Sequence, residues 1–317
     1  NQVGRLQTRR HVPQTHGFFP RPRPRLEARN LPRRGNQTYG GGVLRLKRSL
    51  LMFLRRDWWD AAERFFGSGR KSPAIFALLG IIFYGAFLRG LYVVRDPVIS
   101  RDGLLYLDQY NHWLTSPGKN SIAPMLQRLF QLGDWLLGDP VTFVRIFNIA
   151  SGTLLIWVVY EITVCVWKQT LPGLLTALLI ATNYTLIRNC GELQRESGYL
   201  LGCGMAFLCI CRGLFCWGTS KDHRAYLLWG GGGFFAAISL LFRYEGAEIP
   251  VLAAGMLLLG MLFRRIPPGR AFGMLGIFGG VWLGSLILFS QIIGIDEQIL
   301  SDRILRKLLF YLQRVGL

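Results

Sequence analysis

The sequence predicts an all-α polytopic membrane protein, a bundle of about seven transmembrane helices with amphipathic interfacial helices in its first outer loop. Three observations carry that prediction. Hydrophobic residues make up 51% of the 317 residues and charged ones 17%, and the mean hydropathy is +0.29, too apolar for an ordinary soluble domain. The apolar residues gather into seven runs, at 73–94, 141–167, 170–187, 198–218, 225–242, 246–263 and 271–293. Each approaches or exceeds the ~18–20 residues that cross a bilayer. Finally, the short links between alternate runs are basic, as cytoplasmic loops are.

The elements follow in chain order. Residues 1–42 mix Arg, Pro, Gly, Asn and Gln and hold little that could be buried, so they read as a disordered basic tail. Residues 1–72 carry 17 Lys and Arg against 4 Asp and Glu, which is most of the net charge of +19. The high pI therefore belongs to the tail, and no nucleic-acid partner is expected. Residues 43–72 alternate bulky apolar and basic side chains and place Trp58 beside Trp59. They read as a helix lying on the membrane surface.

The links near Lys168, at 212–224 and at Arg264, Arg265 and Arg270 are basic. With them on the cytoplasmic side, the N-terminus is cytoplasmic and the protein sits in a plasma or inner membrane. The opposite, outer side then receives residues 95–140, 188–197, 243–246 and 294–317. Within the long loop 95–140, Ile122 to Leu137 repeats apolar residues at helical spacing, a second surface helix. The stretch 294–317 reads as the start of another amphipathic outer segment. Gly230 to Gly233 form a run of four, expected where helices touch closely. The six cysteines include no CxxC pair, and most lie in apolar runs, where Cys acts as a small hydrophobe.

Three charged motifs share the outer side: Arg101-Asp102-Gly103-Leu104-Leu105-Tyr106, Gly191-Glu192-Leu193-Gln194-Arg195-Glu196, and Phe242-Arg243-Tyr244-Glu245-Gly246. A carboxylate there can take a proton from an acceptor hydroxyl or amine, and an arginine can grip phosphate oxygens with two donors. Plainer readings stand beside these. Asp102 is placed to cap the following helix. Glu192, Arg195 and Glu196 have the spacing to pair with one another, and Arg243 and Glu245 can form a packing ion pair. His112 is a lone loop histidine. Within the spans, Arg89 is expected to snorkel and Glu161 to face other helices or the inner boundary.

Taken together, these motifs resemble the membrane glycosyltransferases of the GT-C fold. The branch includes protein O-mannosyltransferases and lipid A aminoarabinose transferases, and the likeness is to glycosyltransferase family 39. The resemblance covers about 73–293. It rests on Asp102 and Tyr106 in the first outer loop, Arg195 and Glu196 before the fourth span, and Arg243, Tyr244 and Glu245 near the fifth. It implies a polyprenyl-phosphate-linked sugar as donor and an acceptor protein or glycolipid. Asp102 is then the catalytic base, with Tyr106, Arg195, Glu196, Arg243 and Glu245 binding substrate. Two features depart from the family: Gly103 stands where many relatives carry a second acid, which leaves a divalent metal undecided, and relatives usually have eleven or more spans. A truncated or compact member is the expectation. The rival classes are a transporter or channel subunit, which would need ionisable residues at mid-membrane and discontinuous helices, and a non-catalytic scaffold.

Overall fold

The computed structural model describes residues 71–96, 98–115, 123–215 and 222–294. All belong to one compact unit, Phe53–Leu317. The tail at 1–42, residues 43–70 of the surface helix expected over 43–72, and the segment 295–317 lie outside the described residues. Those described are helical, with no strand among them.

Ten α-helices lie among the described residues: α1 Lys71–Arg95, α2 Arg101–Thr115, α3 Pro124–Leu137, α4 Pro140–Trp167, α5 Thr170–Thr182, α6 Tyr184–Gly191, α7 Glu196–Phe215, α8 Asp222–Phe242, α9 Glu248–Leu262 and α10 Pro268–Ile293. A 3₁₀ turn, Tyr244–Ala247, joins α8 to α9. Among the described residues six stretches are long and apolar enough to span a membrane, in α1, α4, α7, α8, α9 with its preceding turn, and α10. This is an integral membrane protein. The third expected span is not one helix. It breaks between α5 and α6 with a 48° bend. Asn183 makes the break, because its side chain accepts a hydrogen bond from the Leu186 backbone N–H at 3.1 Å and starts α6 anew.

Helix ends are built from local chemistry. Asp139 caps α4 by accepting from the N–H groups of Val141 and Thr142 at 3.0 and 3.2 Å, with Pro140 filling the first helical position. Gly138 and Gly294 end α3 and α10 in the left-handed conformation, at φ 64° and 67°.

α8 is the central helix, packed on both α7 and α10. Its spanning window is 61% buried, against 17% for α10. Trp229, Phe278, Met274 and Ile210 form the largest core between these helices. The glycine run narrows to one indispensable position. A Cβ at Gly233 would lie 2.3 Å from the Phe278 carbonyl oxygen, whereas at Gly230 to Gly232 the nearest atom is 3.3 Å or more away. Large side chains left exposed on the spans, such as Phe76, Phe83, Leu179 and Leu258, face where lipid would be.

The loop after α1 is structured. Tyr106 and Tyr110 of α2, Ala123, Leu126 and Phe130 beside and in α3, Val144 of α4 and Leu193 form a separate buried cluster. It is a platform seated on one end of the bundle, and the acidic motifs stand on it.

Candidate functional site

Asp102 lies in the first turn of α2, with its side chain exposed. It is not the cap that its position suggested. Ser100 does that work, as its Oγ accepts from the Gly103 N–H at 3.1 Å and its carbonyl accepts from the Leu104 N–H at 3.0 Å. The Asp102 carboxylate makes no hydrogen bond or ion pair among the described residues. Ser100 also donates to the Glu192 carbonyl at 3.0 Å, which ties the start of α2 to the turn between α6 and α7. Gly103 permits that closeness: a Cβ there would sit 2.6 Å from the same Glu192 oxygen.

That turn is the hub of the site. Leu193 takes a left-handed φ of 55° with its side chain fully buried in the platform. Such a φ costs a non-glycine residue ~1–2 kcal/mol, and packing holds it here. Three side chains fasten the turn from outside. Besides Ser100, Arg145 Nε donates to the Gly191 carbonyl at 3.2 Å, and Asn148 Nδ2 donates to the Gln194 carbonyl at 3.1 Å. The i, i+3 and i, i+4 pairs among Glu192, Arg195 and Glu196 do not form. Glu192 pairs instead with Arg188 and accepts from Gln194.

Arg195 is held over the ring of Tyr106, 5.8 Å from its centroid, a cation–π arrangement. Tyr106 is only 5% exposed, so it seats Arg195 rather than offering itself to a substrate. Burial raises its hydroxyl pKa. Arg195 and Arg243 oppose that rise, and Glu196 and Asp102 add to it. Four charges from α2, the hub turn, α7 and the α8–α9 corner thus lie within electrostatic reach of one phenol.

Glu196 opens α7. Its Oε1 lies 3.1 Å from Arg243 Nη1, while Oε2 is buried with no hydrogen-bond partner among the described residues. Arg243 Nε donates to Glu245 Oε2 at 2.9 Å, and its guanidinium lies over Tyr199, 5.7 Å from the ring centroid. Burial pulls the Arg243 pKa down, but Glu245 and Glu196 outweigh it and leave the group above its ordinary value. The expectation of an arginine presented to a phosphate is therefore revised. Arg243 is a brace between two carboxylates, one at the start of α7 and one at the α8–α9 corner. His112 faces Asp108 at 3.9 Å on the exposed side of α2, apart from this cluster.

Beneath the hub lies the largest correction. Arg89 does not snorkel. It is fully buried, six residues before the end of α1. Its Nη1 donates to the Gly85 and Ala181 carbonyls at 2.9 and 3.3 Å, and its Nη2 to the Ile180 carbonyl at 3.3 Å. The break at Asn183 leaves the last carbonyls of α5 without helical partners, and Arg89 fills the gap. Gly85 and Gly152 make room, since a Cβ on either would come within about 3 Å of its guanidinium. Glu161 meets its expectation in pairing with Arg212.

Ser100, Arg145, Asn148 and Leu193 were not singled out by sequence reasoning. The first three gave a signal, as polar residues in or beside an apolar run. Leu193 gave none. Among the described residues no group of three or more His, Cys, Asp and Glu converges as a metal site, and Glu196 and Glu245 are both engaged with Arg243. No family model matches the chain, and no curated protein or solved structure matches it either.

Proposed function

We propose that this protein is a membrane glycosyltransferase of the GT-C type, moving a sugar from a polyprenyl-phosphate carrier to an acceptor on the outer side. One observation supports it most: Arg195 stands over the Tyr106 ring of the Asp102 helix, and Arg243 joins Glu196 to Glu245, so contacts link the three charged motifs at one end of an apolar bundle. That end is where a lipid-linked sugar phosphate would present its polar head. Asp102 takes the proton of the acceptor hydroxyl or amine. The acceptor attacks the anomeric carbon as the bond from that carbon to the phosphate oxygen breaks, and the carrier phosphate leaves with the electron pair. A single displacement inverts the configuration. Arg195 stabilises the departing phosphate. Glu196 orients the acceptor through Oε2, and Arg243 with Glu245 holds Glu196 in place. The basic links at the opposite end support a cytoplasmic placement for that end.

A transport function has one observation in its favour, the broken α5–α6 span with Arg89 inside the bundle. Arg89 directs both Nη groups to the carbonyls at that break, which supports a structural part for it and leaves the enzyme reading first.

The test follows label from a polyprenyl-phosphate sugar into acceptor in reconstituted vesicles. Asp102→Asn should lower transfer by ~10²–10⁴-fold with folding and donor binding intact. Transfer by Asp102→Asn at the wild-type rate would remove the central claim. Orientation is tested separately, by labelling a thiol at Asp108→Cys in intact cells. Labelling only after permeabilisation would reverse the assigned sides.

A further inference from the structure

The other end of the bundle carries a recess with a different character. Where α4 and α7 end and α8 begins, a pocket of about 600 Å³ is rimmed by Lys168, Arg212 and Arg224 and walled by Phe215, Leu227 and Leu228. The wall is open to the side, with Leu227 72% and Phe215 50% exposed. Lys168 Nζ lies 3.9 Å from the centroid of the Phe215 ring, so the base of its charge is set against that wall. Arg212 is paired with Glu161. Lys168 and Arg224 form no ion pair among the described residues, which leaves the rim with an excess of two positive charges.

We propose that this recess binds an anionic phospholipid, its phosphate between Lys168 and Arg224 and its acyl chains along Phe215, Leu227 and Leu228. The charge complements an anionic headgroup. A soluble anion would gain nothing from the apolar wall, and a zwitterionic lipid would bring its own cation against Lys168. Basic side chains at a membrane surface contribute about fivefold each to anionic-lipid affinity. The site is independent of the transfer reaction and of which side of the membrane this end faces.

The experiment is native mass spectrometry of the full chain in detergent with equal phosphatidylglycerol and phosphatidylcholine. The wild type should retain phosphatidylglycerol selectively. Lys168→Asn with Arg224→Gln should reduce that retention by about 25-fold. Asn is chosen because Lys168 sits at φ 57°, which Asn tolerates. Glu161→Gln should increase retention, by releasing Arg212 to the lipid. Arg265→Gln with Arg270→Gln removes the same charge at the same end outside the recess and should change little. The proposal is overturned if the wild type holds both lipids equally, if the Lys168–Arg224 variant retains lipid as before, or if the control pair loses as much. It is likewise overturned if inorganic phosphate at matched concentration displaces the lipid.

Discussion

Gly103→Ala tests whether α2 is seated as closely on the hub turn as described. The added methyl would meet the Glu192 carbonyl oxygen at 2.6 Å, Ile99 Cγ2 at 2.8 Å and Leu193 Cβ at 3.2 Å. Ile99 can swing aside. The carbonyl cannot, because it accepts from Ser100 Oγ at 3.0 Å and the next residue is locked in a left-handed conformation. Relief needs α2 to lift by roughly 0.8 Å to restore ordinary contact. Such overpacking costs ~1–3 kcal/mol, and stretching the Ser100 hydrogen bond adds ~1 kcal/mol. Better helix propensity returns ~1 kcal/mol. The net expectation is a loss of ~1–3 kcal/mol in reversible unfolding in detergent micelles. Gly90→Ala, at a helical site with nothing within 4 Å, gains the propensity alone and should stabilise by ~1 kcal/mol. Ser100→Ala removes the hydrogen bond without adding volume and should cost ~0.5–1.5 kcal/mol. A Gly103→Ala protein as stable as Gly90→Ala would refute the close seat, and the tie between the start of α2 and the hub turn would fall with it.

Three further outcomes are expected. Gly233→Ala should destabilise by ~1–3 kcal/mol, since its Cβ would strike backbone 2.3 Å away, while Gly276→Ala, in open space, should be neutral or better; equal melting of the two would contradict the α8–α10 contact. Asp139→Ala should lose about 1 kcal/mol of cap stability at neutral pH. Hydrogen bonds from Thr142 lower the Asp139 pKa, so this cap contributes above the ordinary carboxylate value and fades as pH falls through the lowered one. The variant and wild type should therefore converge in acid, and a gap that widens there would show that the carboxylate is not the cap. A double-mutant cycle on Arg243→Met and Glu196→Gln should give a coupling of ~0.5–3 kcal/mol; strict additivity would mean that the brace carries no energy.

The spans and the loop helices were legible because each is a matter of local pattern, a long apolar run or a helical repeat. The break at Asn183 was hidden inside such a run, where one amide residue changes mean hydropathy little but supplies a cap that restarts the helix. Arg89 was misread for a related reason. A lone arginine near the end of an apolar helix is a snorkeller by every local rule, and its partners outside α1, Ile180 and Ala181, lie 91 and 92 residues further on. The three charged motifs stood out in the sequence, and contacts join them, Arg195 to Tyr106 and Arg243 to Glu196. Which charge meets which was not readable. Arg243 reaches Glu196 across 47 residues, and Arg195 turns to Tyr106 rather than to its acidic neighbours in sequence.

The Arg89 clamp also sets a problem of synthesis. α1 carries the Gly85 carbonyl with it but enters the bilayer before the carbonyls of Ile180 and Ala181 have been made. At ~5–20 residues per second, the 92 intervening residues leave the guanidinium waiting for roughly 5–20 s. An arginine at the centre of an inserting helix costs ~2.5–3.5 kcal/mol on the insertion scale, and somewhat less toward an end. The apolar remainder of α1, with Phe76, Phe83 and Phe87 turned outward, must carry that load alone. The first span is thus held in the membrane by its lipid-facing aromatics before the bundle exists, and a polar substitution there should reduce the yield of inserted chains more than the stability of finished ones.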